Sequence, residues 1–144
     1  NKSQPLIGSM NMFFYDAKHK ETLPYFDRFP LSIIVKGAPG GFIGLNLHYL
    51  PPVLRAKMLD GLMETVNNKR YDETTKFQIT YNLLQATARL KFYKPCLKRY
   101  LFSQVKSRLA RVEAPEWEIA TFLPTADWSG SSSNKVYQDS RKII

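Results

Sequence analysis

The chain lacks nearly every residue arrangement that announces chemistry. Its 144 residues hold one cysteine and two histidines. Cys96 has no partner for an internal disulfide, and its neighbours Lys94, Pro95 and Lys98 offer no zinc-type ligand spacing. A disulfide scaffold is excluded, and a reducing compartment or indifference to redox fits. No stretch approaches the roughly 18 consecutive apolar residues of a membrane helix. The opening "NKSQPLIGSM" lacks the apolar region of a secretory signal, so a soluble chain without membrane contact is expected. GxSxG, HExxH and CxxC signatures are also missing. No cofactor, metal site or enzymatic activity is expected.

Acidic charge is missing from one long stretch. Between Glu73 and Glu113 no Asp or Glu occurs, while Lys76, Arg89, Lys91, Lys94, Lys98, Arg99, Lys106, Arg108 and Arg111 all fall inside it. Overall, 21 Lys and Arg face 12 Asp and Glu, a net charge of +9. A polyanion or an acidic protein surface is the natural neighbour of such a chain. The aromatics Phe92, Tyr93, Tyr100 and Phe102 are interleaved with the cations, and aromatic rings beside phosphate-neutralising side chains suit nucleic acid. The bland alternative is a solvated face whose long basic side chains cover apolar surface with their stems. No RNP sequence or zinc finger decides between the two.

What the chain does contain is enough apolar residue for one core: 44% hydrophobic and 13% aromatic at the size of one domain. Residues 1–9 read as an arm, 10–128 as a single α+β domain and 129–144 as a second arm, basic at Lys135, Arg141 and Lys142. The run from Met10, "MNMFFYDAKHK", suits a first strand, and "LSIIVK", with adjacent β-branched residues, a second. "GAPGG" (37–41) marks a hairpin turn. Phosphate cradling by that loop would require a helix to follow, and a strand follows instead.

The third strand, "FIGLNLHYL", alternates and places Asn46 and His48 on its more polar face. Pro51 and Pro52 stop it, and helical spacing resumes at Val53, Leu54, Met58, Leu59, Leu62, Met63 and Val66. Asn46, His48, Pro51 and Pro52 thus form a stiff strand-to-helix joint. A second helix is expected through Phe77, Tyr81, Leu84, Ala88 and Leu90. A third, of about fifteen residues, is expected on the four-residue spacing of Leu97, Leu101, Val105 and Leu109. A short strand or helix follows around Trp117 to Leu123. The fold class is then α+β: a small antiparallel sheet of three or four strands packed on two or three helices, with extended terminal arms.

His48 is the best candidate for a catalytic base, with Asp16 or Asp27 to orient it. No signature surrounds the three, and a hydrogen-bonding structural histidine is the favoured reading. His19, between Lys18 and Lys20, reads as exposed. Asp60 and Glu64 suit a solvated helix face rather than a metal site.

Four segments carry a resemblance: "MFFYDAKHKETLPYFDRFPL", "GGFIGLNLHYLPPVLRAKMLD", "FYKPCLKRYLFSQVKSRL" and "FLPTADW" with the terminal "KVYQDSRKII". Together they resemble a family of small proteins of large contractile-tailed bacteriophages, from about Gly8 to the C-terminus. That family has no firm catalytic assignment, so the resemblance implies a setting, the virion assembled in the host cytoplasm, and no active site. "GSMNMFFYDAK" with "FPLSIIVK" is similar to the opening strands of SH3-like barrels, including PemK/MazF-type toxins, but the toxins' nucleolytic residues have no counterpart. The function expected first is a non-enzymatic component of tail, baseplate or neck in a symmetric multi-subunit assembly, docking to other virion proteins. The alternative is a basic nucleic-acid-binding protein in DNA replication, packaging or end protection. Its phosphate contacts would be Arg89, Lys91, Lys94, Lys98, Arg99, Lys106, Arg108 and Arg111.

Overall fold

The computed structural model describes residues 7–18, 21–66 and 91–143, with Arg70, Asp72 and Asn82 as isolated positions. The fold is α+β, as the sequence implies. A five-stranded antiparallel sheet is built from β1 (Met10–Met12), β3 (Leu31–Ala38), β4 (Gly41–Asn46), β5 (Leu97–Leu101) and β6 (Ala110–Val112), in the order β5-β4-β3-β1-β6. A second sheet pairs β2 (Phe26–Asp27) with β7 (Trp128–Ser129). Three α-helices are described: α1 (Pro52–Val66), α2 (Trp117–Phe122) and α3 (Ser133–Ile143).

The β3–β4 hairpin follows from its local chemistry. Pro39 and Gly40 make the turn, and Gly40 takes φ +71°, a region open to glycine. Along β4, alternation sends Leu45 to one face, with Ile33 and Leu97 beside it, and Phe42 to the other, beside Tyr100. Each face has its own core. The first buries Met10, Leu31, Ile33 and Leu45 with Met58, Leu59, Trp117 and Val136 from the three helices. The second is aromatic: Phe13 meets Tyr100 and Phe42 edge-on at 5.2 and 5.8 Å, and Tyr15 meets Tyr100 at 4.9 Å. Such edge-to-face pairs add to simple burial.

Two expectations fail here. The helix expected through Leu97, Leu101, Val105 and Leu109 does not form; residues 97–101 are β5, 102–104 a 3-10 turn and 110–112 β6. Its four-residue period is fortuitous. The open edge of β4 supplies a ladder of hydrogen bonds that outweighs helical spacing. Likewise the C-terminal arm is not extended. Ser132 caps α3, its Oγ accepting from the Lys135 N–H at 3.3 Å and its carbonyl from Val136 N–H at 3.0 Å. Val136 and Ser140, four apart, are buried. Burying one Val side chain contributes about 1.5–3 kcal/mol toward holding the helix on the core. The serine-rich run therefore caps a helix instead of belonging to an extended arm. At the other end, Gly8 N–H donates to the Ile34 carbonyl at 2.8 Å, so the first arm joins the sheet by its last residues. The expected second helix, Phe77 to Leu90, lies outside the described residues.

Candidate nucleic-acid interface

The proline joint is where the fold concentrates its buried polar groups. Pro51 is buried and its carbonyl accepts the first helical N–H groups, from Leu54 at 3.0 Å and Arg55 at 3.2 Å; Pro52 is exposed at the first position of α1. The strand ends in a 3-10 turn, Leu47–Tyr49, capped by the Asn46 side chain, which accepts from His48 N–H at 3.0 Å. Asn46 Nδ2 donates to Asp27 Oδ2 at 3.0 Å, and His48 Nδ1 lies 2.6 Å from the same oxygen. Asp27 Oδ1 accepts from the backbone N–H of Phe29 and Asp127. Burial by itself would raise the Asp27 carboxyl, but the His48, Asn46 and Phe29 hydrogen bonds and the His48 charge together hold it below its ordinary value. Of the two partners the sequence allowed His48, the structure selects Asp27 and not Asp16.

His48 Nδ1 faces the carboxylate, and its Nε2 stands 3.2 Å from the Thr125 hydroxyl. Asp, His and Thr thus stand in relay order. Yet His48 is only 1% exposed, and neither it nor Thr125 lines the cleft beside β5. The arrangement suits a lock between β2, the joint and the 125–127 segment. Arg55, missed by sequence reasoning, extends it. Its guanidinium donates to the carbonyls of Leu50 (2.7 Å), Thr121 (2.9 Å) and His48 (3.4 Å) and to the Tyr137 hydroxyl (2.8 Å). Burial lowers its pKa against the pull of Tyr137 and Asp27. The one visible signal was a charged residue within an otherwise apolar helical stripe.

The basic residues divide between the two edges of the sheet. Lys94, Lys98 and Arg99 belong to the β5 edge, Arg99 donating to the Pro39 carbonyl at 2.7 Å. Arg111 lies on β6, the opposite edge, preceded by Lys106 and Arg108 in the connecting turn. Lys94, Arg99, Lys106, Arg108 and Arg111 are exposed and Lys98 is half-buried. Lys106 N–H donates to the carbonyl of Phe14, an exposed aromatic whose ring stacks on Phe29 at 4.8 Å. Arg89 and the Lys91 side chain lie outside the described residues. The cations therefore do not share one helix face; they rim a sheet on two sides.

Beside β5 a cleft of about 540 Å³ opens between the strand and residues 15–27. Tyr15, Tyr25, Phe26 and Tyr49 supply aromatic wall, and Lys18, Lys98 and Arg99 supply positive charge. Lys98 Nζ stands 4.1 Å from the centre of the Tyr49 ring. Among the described residues it has no carboxylate or hydrogen-bond partner, and burial holds its pKa below the ordinary lysine value. Cys96, just upstream, is buried, and burial pushes its thiol up to about 12, leaving it unreactive. Among the described residues no cluster of His, Cys, Asp and Glu could hold a metal ion, and no helix is long and apolar enough to cross a membrane.

Residues 1–143 match the family model of the phage T4 terminal DNA protecting protein. The chain belongs to this family. The expected kinship with a contractile-tailed phage family is thereby shown, and it is a phage protein family without a catalytic assignment. Neither the curated proteins nor the solved structures contain a significant match.

Proposed function

We propose that this protein binds the ends of phage DNA and shields them by occupancy, catalysing no reaction on them. The family match over residues 1–143 carries this reading, since the family takes its description from terminal DNA protection. Of the two functions expected from sequence, end protection by a basic DNA-binding protein takes precedence over a tail, baseplate or neck component, on which neither fold nor family bears. The physical support is electrostatic. A net charge of +9, displayed by Lys94 and Arg99 along one sheet edge and by Lys106, Arg108 and Arg111 toward the other, neutralises phosphates and releases their counterions. A protein seated on DNA ends would also accompany the genome into the virion, with no need of a docking partner there.

The test compares linear duplex with the same duplex closed into a circle. Tighter binding to the open duplex is expected, with exonuclease digestion blocked at matching protein concentrations. Affinity should fall by roughly 10³-fold between 50 and 200 mM salt if about six phosphates are contacted. Equal affinity for open and closed duplex would overturn the proposal. His48→Ala, if folded, should protect ends as well as the parent does; selective loss of protection would point to chemistry at His48 instead.

A further inference from the structure

We propose that the cleft beside β5 holds a single terminal nucleotide splayed from a DNA end, its phosphate on the Lys98 ammonium and its base against Tyr25 and Leu23. This rests on the end-binding reading and gives it a physical cause.

Three observations converge on the cleft. The first is an ammonium without an anion. Lys98 is half-buried, the described residues offer it no carboxylate, and its ammonium rests on the face of Tyr49. A cation withdrawn from water without a counter-charge is poised to take an anionic ligand, and a ring face behind it strengthens the site without neutralising it. Lys18 and Arg99, exposed at the same cleft, add charge of the same sign. The one acid in the wall, Asp27, is 2% exposed and its oxygens are already engaged by His48, Asn46 and two backbone N–H groups. Its charge is turned inward.

The second observation is aromatic surface that the first core, with Tyr49 and Trp128 against the Tyr25 ring, covers only in part. Tyr25 is half-buried, its hydroxyl anchored on Asp139 at 3.1 Å and its ring lining the cleft. Leu23, 42% exposed, lies at the same cleft. A planar base finds there an aromatic ring and an aliphatic group to lie against, a sequence-tolerant arrangement because every base has a π-face.

The third is size. A cleft of about 540 Å³ lies within the range of small-ligand sites. It cannot admit a duplex, whose major groove alone is about 12 Å wide. A nucleotide can enter only after leaving its stack, and a terminal nucleotide has a stacking neighbour on one side only. Closed DNA has no such nucleotide to give. Preference for ends then follows from the dimensions of the cleft and requires no reading of base sequence.

The experiment uses the full chain and fluorescence anisotropy with three kinds of probe: a duplex closed into a circle, a linear one with blunt ends, and a linear one with a single unpaired nucleotide at the 5′ or the 3′ strand, with and without a 5′-phosphate. The unpaired nucleotide should tighten binding about tenfold over the closed probe, and the 5′ and 3′ arms identify which strand enters. Lys98→Gln should abolish that gain while leaving residual affinity for the closed probe, and Lys98→Arg should retain most of it. Deoxyadenosine monophosphate, titrated by NMR, should perturb the parent near Tyr25 and leave Lys98→Gln unperturbed. If Lys98→Gln melts with the parent and still prefers the unpaired end, the cleft assignment is wrong and end binding survives it. If the parent takes the mononucleotide at Lys98 but binds open and closed duplex equally, the end-binding reading is wrong and the pocket stands as a nucleotide site.

Discussion

His48 Nδ1 and Asp27 Oδ2 lie 2.6 Å apart, with both side chains about 1% exposed. A carboxylate so enclosed stays ionised only because every neighbour favours the charge. Its folded pKa lies below the ordinary value, so its contribution to stability is complete above the unfolded carboxyl pKa of about 3.9 and is lost as pH falls through the folded value. The parent should therefore weaken in acid below about pH 4. Asp27→Asn should lose about 2–3 kcal/mol at pH 7 and show a shallower acid limb, because the buried donors keep only a neutral partner. Urea midpoints from pH 2.5 to 7 decide it. A parallel pair of curves would mean that Asp27 is not the group being titrated.

Arg55 adds polar ties between elements that already pack in the first core. Through Leu50, Thr121 and Tyr137 it ties the joint to α2 and α3. Arg55→Met keeps the apolar stem and removes the donors, leaving buried carbonyls without partners; a loss of about 3 kcal/mol is expected. Tyr137→Phe removes a single bond and should cost about 1 kcal/mol. Thermal melts read both, and equal losses for the two variants would mean that the carbonyl contacts contribute nothing.

The parts of the fold legible in the sequence are those whose cause is local. The glycines and proline at 37–41 specify the β3–β4 hairpin, and Pro51 with Pro52 specifies the joint, because turn and cap chemistry act within a few residues. Strand alternation put Asn46 and His48 side by side, but the strand ends at Asn46 and His48 lies in the 3-10 turn Leu47–Tyr49, where the Asn46 side chain caps it. β5 was illegible for the opposite reason: its partner β4 is remote in sequence, and without it a four-residue apolar spacing reads as helix. The cleft was illegible too. Lys98 and Arg99 stood out by charge, but Tyr25 and Tyr49 reach them only through the fold, and nothing in "LPYFDRFP" announces a wall. The serines at 131–133 read as part of an extended arm because a cap is recognisable only when the apolar face it serves has a core to meet.

Gly41 tests whether β5 must be zipped to β4 for DNA to bind. A Cβ added at Gly41 would overlap the Tyr100 carbonyl, which is backbone and cannot rotate away. Gly41→Ala should force β5 off its register, with a loss of about 2–3 kcal/mol. Since Lys98 and Arg99 ride on β5, preference for open ends should fall in the same variant. Gly37→Ala, where a Cβ meets nothing within 4 Å, is the matched control and should change neither property. Hydrogen exchange of the β4 and β5 amides, read beside DNA affinity, separates unzipping from a simple loss of charge.

Whether both basic edges meet DNA is decided by salt. Across five strands the edges stand about 19 Å apart, four spacings of about 4.8 Å, close to the roughly 18 Å of one major and one minor groove together. Phosphates on both strands can therefore be reached at once. The competing account is that Lys94 and Arg99 on one side, and Lys106, Arg108 and Arg111 on the other, merely keep open sheet edges from pairing with other chains. Replacing each set by Gln separates the two. Each phosphate that a variant no longer neutralises should reduce the slope of log affinity against log salt by about 0.9, so both sets should flatten it, and their combination should add. A triple Lys106, Arg108 and Arg111 variant with the parent's slope but a raised tendency to aggregate would assign the β6 edge to protection against self-association and leave DNA to β5 alone.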